Sequence, residues 1–291
     1  VILDIYHINR ARLSHTTHQN FIENPQYHLY SYFCPTIKSK KTKMSLQQAL
    51  SRSWFGFDLD DTLHEFRRAS ANASTHVFEA IHSSNSQISI DTLRTTYQGI
   101  LRNTTANAFA DGRTSTEYRR ERFGRLLQVH GLTGLNHFLG PGNPVLDRLL
   151  DLYRDSLRES LALKPGVLHL LQTLRRLGKK VIVITEGPAD AQEWTVQELG
   201  IWGYIDVLVT TNEVGRSKVD GLFGVILDRY GIYSDDIVYF GDNKVRDVQA
   251  AREEGILAVH YDEKQGSRLD DINALRVNSW AVVEKVLVRG E

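Results

Sequence analysis

Apolar residues in this chain follow two rhythms. Short runs with almost no polar interruption occur at residues 54–57, 181–184, 207–209, 237–240 and 256–260. A strand covered on both faces reads this way, because neither face alternates with water. Between the later runs, apolar residues recur at three- and four-residue intervals, the period of an amphipathic helix. The spacing predicts a helix opening at Gly166 and Val167 and ending near Gly178, then a strand over 180–185, a helix over 188–199, a strand over 205–209, a helix over 219–230, a strand over 237–240, a helix over 245–254, a strand over 256–260 and a last amphipathic helix around 272–287. Such alternation predicts an α/β fold: a Rossmann-like three-layer core whose mainly parallel sheet carries helices on both faces.

About a hundred residues separate the first apolar run from the second, far more than a βα connection needs. Helical periodicity fills them at 65–82, 90–110, 116–130 and 145–161, with punctuation at Gly112, Gly131 and the turn 140–144. Leu146, Leu149, Leu150 and Tyr153 share one helical face and read as core packing. Residues 46–63 and 164–291 are therefore expected to form the α/β core, and 64–163 an inserted helical domain with hinges near Leu63–His64 and at 163–165.

At 291 residues the chain exceeds one typical domain and can bury a substantial core. Its 35 basic and 35 acidic residues cancel, so no net basic field draws it to nucleic acid or to an anionic membrane. No apolar stretch approaches the roughly 20 residues of a membrane span. Cys34 is the only cysteine, which excludes an intramolecular disulfide and a cysteine metal cluster; a reducing compartment, the cytoplasm, is the expected location. Residues 1–45 differ from the rest, being rich in His, Tyr, Asn and Thr and lacking either periodicity. They read as a disordered N-terminal extension upstream of a translation start at Met44, the only methionine. The alternatives are a targeting presequence and a nuclear address at 38–43.

The chemistry concentrates where the apolar runs end. The first run stops at three carboxylates within four residues, Asp58, Asp60 and Asp61. Ligands of open α/β sheets bind beyond the carboxyl ends of the strands, so Asp58 and Asp60 are expected to share a pocket. Two close carboxylates need a proton, a cation or a metal ion. Mg2+ takes oxygen ligands and binds through one or two carboxylates plus substrate phosphate, which points to metal-assisted phosphoryl chemistry. Asp61 is assigned a local hydrogen-bonding or capping role. The second run ends in Thr185, Glu186 and Gly187, where a hydroxyl and a flexible backbone can bind phosphate. Lys218 can neutralise a phosphoryl oxygen and the carboxylates together. The 237–240 run ends in Gly241 and Asp242, with Asp247 five positions on.

In this order and spacing, Asp58-x-Asp60-x-Thr62, Thr185, Lys218 and Gly241-Asp242-x-x-x-x-Asp247 resemble the four motifs of the haloacid dehalogenase-like (HAD) hydrolase superfamily, over roughly residue 54 to the C-terminus. The resemblance implies that Asp58 attacks phosphorus to form an aspartyl-phosphate and that Asp60 serves as general acid and then base. It implies Mg2+ held by Asp58, the Asp60 carbonyl and Asp242, with Asp247 assisting. Thr185, Lys218 and the backbone after Asp58 would bind phosphoryl oxygens, with Glu186 and Gly187 beside them. The inserted helices resemble the C1-type cap of this superfamily.

Expelling an alkoxide needs a proton and expelling a halide does not, so retention of Asp60 favours a phosphatase. The expected substrate is a small phosphorylated metabolite, such as a nucleoside monophosphate or sugar phosphate. A 2-haloacid dehalogenase, a phosphomutase and a non-catalytic binding module of the same fold stand as alternatives; oligomeric state is left open. Many relatives carry Asn or a small residue where this chain has Glu186, and Glu186 is expected to turn from the phosphate toward the cap or a cationic substrate group. Arg113 and Arg119 of the insert are expected to contact a second anionic group on the substrate, while Tyr118 and Phe123 read as core.

Overall fold

The first strand, β1 (Trp54–Phe57), is the centre of the sheet. The computed structural model describes residues 46–104, 109–132, 142–269 and 274–289; the expected N-terminal extension lies outside them. Six strands lie in the order β3-β2-β1-β4-β5-β6, and every pair is parallel. They are β1, β2 (Lys180–Thr185), β3 (Val207–Thr210), β4 (Ile237–Gly241), β5 (Leu257–Tyr261) and β6 (Arg276–Val277). From β1 the chain winds outward through β2 and β3, then returns to the other side of β1 through β4. The switch point lies at the carboxyl ends of β1 and β4, where this class of sheet binds ligands.

Alternate residues of these strands feed two separate cores, as the pleat requires. Phe55, Phe57, Val181, Val183, Val238 and Phe240 face one side, with Leu170 and Leu174 of α6 (Val167–Arg176) and Trp280 and Val283 of α11 (Trp280–Arg289). Ile182, Ile184, Ile237, Tyr239 and Ala258 face the other, with Leu222, Phe223 and Ile226 of α9 (Leu222–Tyr230). Trp280 is fully buried; its ring stacks on Tyr261 with centroids 4.5 Å apart and meets Phe57 and Phe240 edge-on. Its indole N–H donates to the Thr62 carbonyl at 3.2 Å, tying the last helix to the loop that follows β1.

Four helices are inserted between β1 and α6: α2 (Phe66–Ser84), α3 (Ile90–Thr104), α4 (Ser115–Val129) and α5 (Pro144–Ser160). They have their own hydrophobic cluster, in which Leu146, Leu149, Leu150 and Tyr153 meet Val77, Phe78, Tyr97 and Phe123. Helix α4 starts with a capping box, Thr114 accepting from Glu117 N and Glu117 from Thr114 N. The two connections to the α/β layer run side by side: Lys164 N donates to Leu63 O and Glu65 N to Ala162 O, each at 3.0 Å. The buried Lys164 ammonium lies 2.9 Å from Glu263 and 3.3 Å from Glu65.

Several expected boundaries are corrected. The helix expected over 219–230 begins as a 3-10 turn at Lys218–Asp220 and restarts at Leu222, because Gly221 takes a left-handed φ of 82°. The helix expected over 245–254 is a π-helical turn, Lys244–Gln249, running into α10 (Ala250–Glu253). The helix expected around 272–287 is present as α11 but starts only at Trp280, because β6 takes residues 276–277; residues 270–273 lie outside the described residues. Two short helices, α1 (Leu46–Leu50) and α8 (Thr211–Val214), add to the expected elements, while α7 (Ala189–Glu198) matches its expectation with Pro188 at the cap. Among the described residues, no helix is long and apolar enough to cross a membrane.

Gly56 offers a direct test of this packing. A Cβ there would lie 2.7 Å from the Tyr239 ring, within a sheet that cannot yield easily. Gly56→Ala is expected to destabilise by about 1–3 kcal/mol, the usual cost of overpacking, as read from urea unfolding with an unchanged m-value.

Candidate active site

A tight turn after β1 assembles the first half of the site. Leu63 N donates to Leu59 O at 3.0 Å, and Asp61 adopts a left-handed φ of 61°, a conformation that Asp tolerates better than most residues. Asp61 accepts from the Arg67 backbone N–H at 3.0 Å, the capping role expected of it. The turn directs the Thr62 hydroxyl inward, where it donates to Asp58 Oδ2 at 3.0 Å and accepts from Asp242 N at 3.1 Å. One buried hydroxyl thus joins the ends of β1 and β4.

The second half comes from β4 and the turn at Lys218. The Lys218 ammonium lies 2.5 Å from Asp58 Oδ1 and 2.7 Å from Asp247 Oδ1, with all three side chains buried. The Tyr239 hydroxyl sits 3.2 Å from Asp247 Oδ1 and 3.0 Å from Ile184 O. Asn243 N donates to the other Asp247 oxygen at 2.9 Å. Gly241 is required here because a Cβ would fall 2.3 Å from Asp247 Cγ.

Burial raises the Asp58 carboxyl well above the ordinary aspartate range; Asp247 and Asp60 push the same way and Lys218 opposes them. Burial also works against the Lys218 ammonium, but Asp247 and Asp58 outweigh it and hold its pKa well above that of a free lysine. Asp242 is raised by burial, against the pull of Arg67. One ammonium therefore serves two buried carboxylates, with a third close by. Oxygens of Asp58, Asp242 and Asp247 lie within 4.8 Å of one another. An all-oxygen, anionic donor set of this size fits a hard divalent cation.

The other expected residues have partners of their own. Asp60 is turned to His64, whose Nε2 lies 2.9 Å from Asp60 Oδ1. Thr185 is buried at the end of β2 and donates to Gln192 Oε1 at 3.3 Å, and Gly187 N donates to Thr211 Oγ1 at 3.3 Å. Glu186 points into the α/β layer: it accepts from Lys218 N at 2.9 Å and pairs with Arg246. Its carboxylate is thus paired within the α/β layer, by Arg246 of the π-helical turn, and not by a residue of the insert or a cationic substrate group as expected. Arg113 is occupied by Asp111 and Glu121. Arg119 donates to Ser115 Oγ at 3.1 Å and lies over the Tyr153 ring. Tyr118 and Phe123 are buried, as expected of core residues.

Three contacts here are set by the turn after β1 and not by any motif. They are the Thr62 bridge, the His64–Asp60 bond and Arg67, which reaches Asp242 Oδ2 at 3.0 Å and Asp61 Oδ2 at 3.1 Å. The only signal for the last two was proximity, four and six positions after Asp60 and Asp61 respectively.

A parallel sheet with a buried lysine–carboxylate centre at its switch point defines an α/β enzyme built around an acidic, cation-compatible site. The chain belongs to the haloacid dehalogenase-like hydrolases, whose family model matches residues 56–260. It is 24% identical over 212 residues to a ribulose-1,5-bisphosphate 5-phosphatase of Halopiger xanaduensis, covering 72% of this chain and 85% of that protein. It is 32% identical over 96 residues to a glyceraldehyde 3-phosphate phosphatase of Methanocaldococcus jannaschii, covering 33% and 42% respectively. Among solved structures, a 2-haloacid dehalogenase of Pseudomonas syringae superposes with a TM-score of 0.57 at 21% identity, over 82% of this chain and all of that one. A Bacillus subtilis HAD hydrolase bound to magnesium gives 0.58 at 19% identity, over 81% of this chain and 99% of that one. At these identities the structures attest the fold.

The electrostatics give a signed prediction. Because the folded-state pKa of Asp58 is raised, its stabilising contribution is complete below about pH 4, the unfolded value, and is lost as pH rises through the folded value. In chelator near pH 7, Asp58→Asn is expected to melt above the wild type, by about 2–4 °C for each kcal/mol relieved. The gap should close toward pH 4, and melting curves across this range check it.

Proposed function

We propose that the protein is a Mg2+-dependent hydrolase of small phosphate monoesters that works through an aspartyl-phosphate on Asp58. The observation that carries this reading is the Asp58 carboxylate itself, one oxygen fixed by Thr62 and the other by Lys218, beside Asp242 and Asp247. A nucleophile whose oxygens are both held loses little entropy on attack. Asp58, Asp242 and Asp247, with the Asp60 carbonyl, would hold the ion, whose charge when bound offsets repulsion between carboxylate and phosphate.

In the reaction we envisage, Asp58 attacks phosphorus and displaces the alcohol. Asp60 protonates the departing oxygen, then takes a proton from the water that cleaves the acyl-phosphate, regenerating Asp58. Lys218 and Thr185, with the backbone at Gly187, bind phosphoryl oxygens and stabilise the charge that spreads over them. Asp247 holds Lys218 in place. Glu186 orients the Lys218 turn through its bond to Lys218 N and has its own charge neutralised by Arg246.

The four inserted helices serve as a cap that excludes water. Their contact with the α/β layer supports this role: Ser115 donates to Asp190 from both its backbone and its hydroxyl, and Asn212 donates to the carbonyls of Phe109 and Arg113. Arg119 belongs on the substrate side of the cap. It bonds Ser115, which is docked on α7 next to Gly187, and covers Tyr153, whose hydroxyl is 3.0 Å from Ser70, one turn along α2 from Arg67. A guanidinium and two hydroxyls there suit a phosphorylated metabolite with further polar groups, such as a sugar phosphate or nucleoside monophosphate. Asp60 favours phosphate over haloacid substrates, since halide needs no proton.

Phosphate release from a metabolite panel is expected to require Mg2+, to vanish in Asp58→Asn and to fall by about 10²–10⁴ in Asp60→Asn. Turnover of a haloacid without phosphate release would overturn the reading. Arg119→Ala is expected to lower kcat/KM on the preferred substrate about tenfold to a hundredfold, the worth of a charged hydrogen bond, mainly through KM.

A further inference from the structure

His64 is completely buried, and it occupies the first connection between the α/β layer and the helical insert. Its place is fixed by backbone: His64 N donates to Leu59 O, and the residue bridges Leu163 in the second connection, between the Lys164–Leu63 and Glu65–Ala162 bonds. The ring packs edge-on against Phe66 with centroids 5.9 Å apart. Nε2 lies 2.9 Å from Asp60 Oδ1, while Nδ1 is buried with no hydrogen-bond partner among the described residues. A neutral imidazole carries its proton on one nitrogen and accepts on the other. An unpaired buried acceptor costs less than an unpaired buried N–H, so the hydrogen sits on Nε2 and is donated to Asp60. A hydrocarbon ring would fill this place without orphaning a nitrogen, so packing alone does not account for a histidine here.

Asp60 otherwise has freedom that Asp58 lacks. Its side chain is about a quarter exposed, at 23%, and no bond from Thr62 or Lys218 restrains it. A carboxyl free to rotate presents its oxygen to the leaving group only part of the time. Resting on the phosphatase reading above, we propose that His64 is a positioning residue: its Nε2–H grips one Asp60 oxygen and leaves the other aimed at the leaving-group oxygen. His64 touches neither substrate nor metal and acts only through Asp60.

The test uses leaving-group demand. Departure of an alkoxide needs the proton from Asp60, whereas departure of p-nitrophenolate does not, and kcat/KM reports the steps through that departure. His64→Phe keeps the ring and removes the donor. Its kcat/KM is expected to fall about 10–100-fold, part of the general-acid contribution, on the best alkyl monoester of the panel, and to stay within about twofold on p-nitrophenyl phosphate. His64→Gln, whose amide can reach Asp60, should recover most of the loss, and His64→Asn, whose amide is shorter, should not. This Gln–Asn pair carries the test if the Phe variant does not fold. Equal losses on both substrates, or no loss on either, would overturn the proposal while leaving the phosphatase reading intact. Absence of hydrolysis by the wild type would overturn both.

Discussion

The site depends on a problem of charge. Asp58 and Asp247 are brought together at the end of a mainly apolar sheet, and a single ammonium, Lys218, lies between them. Removing the shared ammonium is the costly change, about 3–5 kcal/mol, because the buried carboxylates are then left uncompensated. The surrounding chain is arranged accordingly. Gly241 leaves room for Asp247, Tyr239 and Asn243 satisfy its remaining acceptor capacity, and Thr62 takes the Asp58 oxygen that Lys218 does not reach. Each bond made there also restricts rotation, so the contacts that satisfy the buried charge also fix the orientation of the Asp58 carboxylate.

The sheet topology explains why these residues can meet. Asp58 follows β1 and Asp242 follows β4, adjacent strands that belong to opposite windings of the chain, so no connecting helix crosses the gap between them. Lys218 arrives from the turn beyond β3 and Thr185 from β2. The helical insert is anchored beside this opening through paired connections, with Lys164 held between Glu65 and Glu263. Its own hydrophobic cluster makes it a separately packed unit joined through short backbone-paired segments.

The fold was legible because both faces of the strands are covered, which removes polar interruptions; β2 occupies the expected 180–185. Short elements left no such trace: β6 has only two residues and begins with Arg276, too short for any periodicity. Helices broke where backbone conformation intervened, at Gly221 and in the π-turn over Asp247. At the site, Asp58, Lys218, Asp242 and Asp247 could be read because each sits at a strand end or shortly beyond one, at a fixed spacing. The roles of Thr62, His64 and Arg67 depend on the sharp turn at Asp61, whose φ no residue pattern announces. Glu186 meets an arginine 60 positions away, a tertiary fact invisible to local patterning.

The central place of β1 has a consequence for biosynthesis. A ribosome emits the chain from its N-terminus, so Trp54–Phe57 emerges long before its neighbours Lys180–Thr185 and Ile237–Gly241. Throughout that interval both borders of an apolar tetrapeptide are unpaired, the state that invites adhesion between chains. The next segment to emerge is the four-helix insert, whose contacts are local and close quickly. The insert can therefore fold while the waiting strand is still tethered beside it, and its four helices are packed before the sheet that carries Asp58 is complete.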